Sequence, residues 1–282
     1  MRIIRYIVRL YLSKFPITEG KKHVYRFAQK YLLPEDRVIN SMTRHGFYLK
    51  LNLNNPEHQY YYFYKSHDER YEVNNLQKII QKDYICWDIG ANIGFYSFLL
   101  ASIVDSGKIF SFEPIVKTYK DLDFGKKMNN FEHVILNNFA LGLEKTSQRI
   151  FFNDDDLCAG TASFVESDQF DNSELVEVDT IDRIVNSVLV PDFIKIDVEG
   201  FQVQVVKGGL DFFKQNSPLI MIEIDKDTNQ WLEDYFIGMG YQFYKFNKKS
   251  LTRVDSIFNN GRNILFCKPG SQYMERIEER VQ

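Results

Sequence analysis

The sequence predicts an α/β protein: a mostly parallel sheet covered on both faces, preceded by a mixed N-terminal cap. Three observations predict it. From Tyr84 onward, short apolar runs alternate with helical patterns, as in a sheet buried on both sides. The run Cys86-Trp87-Asp88-Ile89-Gly90-Ala91-Asn92-Ile93-Gly94 reads as strand, glycine-punctuated turn and helix start. About twenty residues later a second run, Ile109-Phe110-Ser111-Phe112, also ends in an acid, Glu113.

The strands expected are Tyr84–Asp88, Lys108–Phe112, His133–Asn137, Phe193–Asp197, Leu219–Glu223, Tyr241–Phe246 and Asn263–Lys268. Helical patterns lie between them at Gly94–Ile103, Val116–Asn129, Phe201–Lys207 and Asp227–Met239. No helical pattern separates the last two strands. A hairpin with the basic turn Asn247-Lys248-Lys249-Ser250 is expected there, making one strand antiparallel. Gln148–Phe152 and Leu175–Val178 look like extra strands flanking a polar loop, Asn153 to Ser173.

Residues 1–70 form the expected cap and substrate region. They are helical first, with an extended segment at Phe47 to Leu53, and Glu72 to Gln81 reads as a helix entering the main domain, residues 71–270. Residues 271–282 read as a charged tail. Arg2, Arg5 and Arg9 recur at helical spacing among apolar residues. Residues 1–15 therefore make either a helix packed on its own domain or a peripheral helix on an anionic membrane.

Composition removes several functions. With 282 residues and 44% hydrophobic content, 24 Phe and 17 Tyr, the chain can bury a thick core and is not disordered. A net charge of −3 gives no field for nucleic acid. The three cysteines, Cys86, Cys158 and Cys267, are far apart and form no CxxC pair. They read as packed thiols of a reducing compartment, so the expected location is the cytoplasm, including the inner face of a membrane. The five scattered histidines offer no zinc spacing. No apolar stretch is long enough to span a bilayer, and the N-terminus lacks the pattern of a signal peptide.

The turn after Asp88 decides the cofactor. A dinucleotide fingerprint would place a third glycine where this chain has Asn92, and an acid before the turn repels a pyrophosphate. The same acid attracts an ammonium. S-adenosylmethionine carries an ammonium and a sulfonium and no phosphate, so the charge pattern favours it over NAD. Asp88, Gly90, Asn92 and Gly94 are the expected contacts to its amino-acid end, and Glu113, fixed at the rim by Pro114, to its ribose. Asn138 is a candidate for the adenine edge, with a turn asparagine as the competing reading.

The strand Phe193-Ile194-Lys195-Ile196 runs into Asp197-Val198-Glu199-Gly200. Asp197 and Glu199 are candidate catalytic residues: one could accept a proton from an acceptor hydroxyl, or the pair could hold a divalent cation. Their competing role is capping the next helix. Lys195 and Glu223 are weaker substrate candidates. The triplet Asp154-Asp155-Asp156 invites a metal but is more simply a solvated loop, and Gly160-Thr161-Ala162-Ser163-Phe164 is small enough to close over a substrate.

These residues, in this order, resemble the FkbM family of S-adenosylmethionine-dependent methyltransferases. The resemblance rests on Asp88–Ser97, Phe112–Pro114, Asn138–Leu141, Val178–Asp182, Asp192–Gly200, Val206–Gly208, Pro218–Glu223 and Asn263–Phe266, and covers roughly residues 70 to 268. It implies a class I methyltransferase sheet, Rossmann-like, with seven strands and the last antiparallel. It also implies O-methylation of a small-molecule or glycan acceptor, with sugars, polyketides and related hydroxylated molecules as the family's range. Arg70-Tyr71-Glu72 resembles the family's aromatic-Glu entry, which places Glu72 near the cofactor. Gln202 stands where the family often has Glu. A non-catalytic module that keeps only the cofactor pocket is the rival reading.

Overall fold

The computed structural model describes residues 1–15, 19–66, 69–153, 162–164, 166–168, 170–224 and 230–282. The Asp154-Asp155-Asp156 triplet, Cys158 and the Gly160-Thr161 start of the small-residue loop lie outside these residues.

The cap comprises α1 (Arg2–Lys14), α2 (Lys21–Tyr31), the antiparallel hairpin of β1 (Val38–Met42) and β2 (Tyr48–Asn52), and α3 (Pro56–Tyr64). The start of α3 is written into the sequence. Asn55 accepts hydrogen bonds from the N–H groups of Glu57 and His58, and Pro56 occupies the first turn, where its missing donor costs nothing. The strand β1 carries Asn40 and Ser41 with Val38 and Met42 exposed, so it lacks the alternation that betrays a strand.

The orientation of α1 resolves part of what the sequence left open. Arg5 donates to the Leu32 and Leu33 carbonyls, Arg9 to the Tyr62 carbonyl, and the Arg9 guanidinium lies 3.9 Å from the Tyr62 ring centre. Two of the three periodic arginines therefore pin the helix to its own cap.

The main domain starts with α4 (Arg70–Ile79), β3 (Ile85–Ile89), α5 (Phe95–Ala101), β4 (Lys108–Phe112), α6 (Val116–Asn129) and β5 (Val134–Asn137). A side sheet follows, made of β6 (Ala140–Leu141), β7 (Thr146–Phe152) and β8 (Asn172–Asp179); β7 and β8 are the extra strands expected around the polar loop, and β6 is an addition. Then come α7 (Ile181–Ile184), β9 (Phe193–Ile196), α8 (Gln202–Lys207), α9 (Leu210–Gln215), β10 (Leu219–Glu223) and α10 (Gln230–Gly238). The chain closes with β11 (Gln242–Phe246), β12 (Leu251–Val254), β13 (Asn263–Cys267) and α11 (Met274–Glu278).

The large sheet has eight strands in the order β12-β11-β13-β10-β9-β3-β4-β5. The seven expected strands are all present. Five of them, from β10 to β5, pair in parallel, and β13 inserts antiparallel between β10 and β11. This is the class I methyltransferase order. The expected turn at Asn247–Ser250 is also present, but it leads into an eighth strand, β12, instead of Asn263–Lys268. Four residues with one exposed arginine gave too short a pattern to read as a strand. Val281 bridges to Leu251 beside this edge, and Arg280 donates to the Asn75 side chain, so residues 271–282 lie against the body of the domain.

Alternate residues of the strands feed two cores. Cys86, Ile109, Phe193 and Met221 face α4, α5 and the cap. Trp87, Phe110, Ile194, Ile196 and Ile222 face α8 to α10. Every residue of β9, β10 and β13 is buried, which explains why these strands read as continuous apolar runs. The order in which successive strands join the sheet reverses between the parallel neighbours β3 and β9, and a crevice at such a switch point is where open α/β sheets bind ligands.

Candidate active site

The predicted residues converge at this switch point. Asp88 on β3 is paired in register with Lys195 on β9. Lys195 is 2% exposed; its Nζ donates to Asp197 Oδ2 at 2.6 Å and sits 3.9 Å from Asp88 Oδ1 and 4.6 Å from the Tyr96 ring centre. Burial alone would push the ammonium down, but Asp197 and Asp88 together outweigh it and keep it charged. Lys195, read as a weak substrate candidate, is therefore the buried counter-ion of two carboxylates.

Asp88 is fully buried. Ser97 donates to its Oδ2 at 2.6 Å, whereas its Oδ1 has no hydrogen-bond partner among the described residues. Burial raises its carboxyl, and Lys195 and Ser97 act against that rise. The turn that follows is held by Glu113. The Gly90 and Ala91 N–H groups donate to the Phe112 carbonyl, and the Asn92 N–H donates to Glu113 Oε2 at 2.9 Å. The Ile115 N–H donates to Glu113 Oε1 at 3.0 Å. Asp88 and Glu113 thus lie on neighbouring strands at one sheet edge. Burial pushes the Glu113 carboxyl up to about 7, although both N–H groups favour its ionised form.

Gly90 has φ +82°, and a Cβ there would stand 1.8 Å from the Asp197 carbonyl oxygen. What approaches this glycine is the neighbouring loop of the protein itself. That contact ties the β3 turn to the β9 turn. Gly94, φ +93°, opens α5, where a Cβ would strike Leu122 and Phe98. Asn138 donates to the Glu113 and Pro114 carbonyls, both at 2.9 Å, so its amide nitrogen braces the turn that carries Glu113.

The second group of acids gathers beyond β9 and β10. Asp197, Glu199 and Glu223 each bring a carboxylate oxygen within 4.8 Å of the others. Burial pushes the Glu223 carboxyl up to about 10, and Asp197 adds to the rise. Burial would also raise Asp197, but Lys195 and the neighbouring Glu223 override it and hold Asp197 well below the usual carboxylate range. The two carboxyls titrate as a pair that holds one proton between them. Arg262 bonds Glu223 Oε1 and lies 4.0 Å from Glu199 Oε1. Glu199 itself sits at φ +44° on the exposed lip of the loop, followed by Gly200 at +85°. Three such oxygens could take a divalent cation. In this structure Lys195, Arg262 and one proton already answer the charge, so a cation would have to displace Arg262 from Glu223.

Sequence reasoning missed three participants. Glu69 accepts from the Tyr96 hydroxyl and from Asn263 Nδ2, the latter at 2.8 Å. Glu72, the acid singled out instead, lies in the first turn of α4, and its charge raises the Tyr96 hydroxyl pKa. Tyr96 lay inside the quoted turn motif without a role. Arg262 had no signal beyond standing alone before the last strand.

The sequence model of the methyltransferase FkbM domain matches residues 88–243. The hexuronic acid methyltransferase AglP of Haloferax volcanii is 26% identical over 154 residues, 54% of this chain. Those residues span 60% of that relative's length. The crystal structure of methyltransferase FkbM from Methylobacillus flagellatus aligns with 67% of this chain and 44% of its own, at 18% identity and a TM-score of 0.46. The M. jannaschii TYW2 structure in complex with AdoMet aligns with 84% of this chain and 89% of its own, at 12% identity and a TM-score of 0.44.

Proposed function

The chain belongs to the FkbM methyltransferase family, and we propose that it transfers a methyl group from S-adenosylmethionine to a hydroxyl of a sugar or glycan. The observation that carries the reading is the acidic edge around the β3–β9 switch point, with one buried Asp88 oxygen lacking any donor among the described residues. A cationic, phosphate-free nucleoside suits that edge, and a pyrophosphate does not. The hexuronic acid methyltransferase AglP, similar over 154 residues, supports the sugar acceptor.

When bound, S-adenosylmethionine supplies an electrophilic methyl group on a sulfonium. The protein's share is alignment and proton removal. Each Glu113 oxygen accepts one backbone N–H and keeps lone-pair capacity for a ribose hydroxyl. Asp88 and the turn Gly90–Asn92–Gly94 hold the amino-acid end. Glu72 stands at the same side through α4, and Asn138 keeps Glu113 in place. Asp197 fixes the charge of the acceptor side, and Glu199 faces the acceptor.

The test is methyl transfer itself. Purified protein is incubated with methyl-labelled S-adenosylmethionine and a panel of neutral sugars, uronic acids and glycans. Label that enters an acceptor and survives mild base marks a methyl ether, as expected for a hydroxyl. Base-labile label would mark a carboxylate ester and remove the hydroxyl assignment. Binding of S-adenosylhomocysteine without transfer to any acceptor would favour a binding module.

Glu113 makes the cofactor reading testable by pH. Its carboxyl titrates at about 7 in the folded protein, so its ionised fraction grows as pH rises through that value. A carboxylate accepts hydroxyl hydrogen bonds more strongly than a neutral carboxyl does, by about 1 kcal/mol. S-adenosylhomocysteine should therefore bind roughly three- to fourfold tighter at about pH 8 than at about pH 6. Calorimetric titration of Glu113→Gln should show weaker binding with that pH dependence gone. Undiminished binding in Glu113→Ala would take Glu113 out of the site.

A further inference from the structure

The N-terminal helix is amphipathic in an inverted sense. Arg5 and Arg9 point inward, and Ile3, Ile7 and Leu10 point out. Arg5 and Arg9 bond carbonyls of the cap, Arg9 also donates to Ser41 Oγ at 3.0 Å, and Leu12 is buried beneath them. Ile3, Ile7 and Leu10, spaced four and three residues apart, form a stripe on the opposite side. They are 76%, 56% and 42% exposed, with Ile4 and Tyr6 on its flanks at 52% and 65%. A surface helix normally buries such a stripe. On α2, which packs against α1, Phe27 and Tyr31 are also more than half exposed, with ring centres 5.0 Å apart.

Charge says what covers this face. Arg2, Lys14, Lys22, Arg26 and Lys30 are exposed on the same two helices. The only acid in the sequence between Met1 and Pro34 is Glu19. Lys21, the remaining lysine of α2, is buried and spent on the Leu12 and Phe15 carbonyls. An exposed apolar stripe in a cationic surround with aromatic flanks is the chemistry of a helix lying in an anionic bilayer interface. A second copy of the chain would bring an equally cationic surface to a two-fold contact, which opposes association. No described helix is long and apolar enough to cross a membrane, so the contact is lateral.

We propose that α1 docks the protein on an anionic lipid surface, with Ile3, Ile7 and Leu10 entering the interface and the lysines and arginines of α1 and α2 over the headgroups. The inward arginines serve this arrangement. They fix α1 rigidly to the cap, so the helix enters the membrane surface preformed and pays no folding entropy on binding.

The experiment is co-sedimentation of the full chain with two kinds of vesicle. One is phosphatidylcholine alone; the other contains about one-third phosphatidylglycerol. The protein should pellet with the anionic vesicles and be released by salt, and it should bind phosphatidylcholine at least tenfold more weakly. Ile7→Glu should cut anionic-vesicle binding by about tenfold or more. Lys14→Glu with Lys22→Glu, which leaves the apolar stripe intact, should cut it by a similar factor. Both variants alter exposed side chains outside the site, so their S-adenosylhomocysteine affinity and thermal unfolding should match the parent. The proposal is overturned by equal pelleting with both vesicle types, by pelleting with neither, or by vesicle binding that survives both variants. A dimer seen by sedimentation velocity and dissolved by Ile7→Glu, with no vesicle binding, would assign the stripe to self-association instead.

Discussion

Lys195→Met should lower the unfolding free energy by about 3–5 kcal/mol at neutral pH, the cost of removing one partner from a buried ion pair. Lys195 and Asp88 face each other across β3 and β9 with almost no exposure. Methionine fills the aliphatic volume of the lysine but supplies no charge, so packing loss is a minor part of the effect. Asp88 then retains one hydrogen bond, from Ser97, and no counter-ion. Its folded pKa, already raised by burial, must rise further. For an acid whose folded pKa exceeds its unfolded one, stability is present at low pH and falls as pH climbs toward the folded value. The variant should therefore be closer to the parent at about pH 5 than at about pH 8. Adding Asp88→Asn should recover much of the loss, because the uncompensated charge is gone. Denaturant titration of the parent, the single variants and the double variant measures the coupling. A single variant within about 1 kcal/mol of the parent at about pH 8 would mean that Lys195 does not carry the charge balance of this edge.

How much of this edge could be read from the chain depends on how far apart its members lie. The β3 turn, Glu113 and the Asp197-Val198-Glu199 loop each sit at the end of a continuous apolar run, and such runs are visible because parallel strands bury both faces. The order of the strands did not follow from the runs; the seven-strand sheet with an antiparallel last strand came with the family resemblance. The counter-ion role of Lys195 was half visible: a lysine alternating with core residues must point somewhere unusual, but its partner Asp88 is 107 positions away and emerges only from the β3–β9 register. Glu69, Asn263 and Arg262 had no local signal, because they meet only when the cap entrance and the last strand fold onto the same edge. Periodicity showed that α1 has two faces without saying which turns inward. The carbonyls that decide it belong to Leu32, Leu33 and Tyr62. The glycines of the β3 turn were legible as necessary. What crowds them, the Asp197 carbonyl at Gly90 and the Leu122 and Phe98 side chains at Gly94, was not.

Glu199→Gln should reduce turnover by about 10²- to 10⁴-fold, the usual loss when a general base is removed, with S-adenosylhomocysteine affinity unchanged. Two carboxylates near the acceptor side are poor proton acceptors. Asp197 takes a hydrogen bond from Lys195 at 2.6 Å and is held well below the usual range, while burial and Asp197 push the Glu223 carboxyl up to about 10. A base works best when its proton affinity matches the working pH, and Asp197 is far too weak for that. Glu199 is the remaining acid of the cluster. Its side chain is 31% exposed at the lip of the loop, with Arg262 4.0 Å away. Glutamine keeps its size and its left-handed backbone, φ +44°, so the variant changes proton acceptance and little else. Asp197→Asn should behave differently. It removes a partner of buried Lys195 and should lower thermal stability along with activity. Single-turnover methyl transfer with saturating labelled cofactor separates the two variants. Turnover of Glu199→Gln within about threefold of the parent would return the acceptor's proton to Asp197 or to water, and the low proton affinity of Asp197 would then favour water.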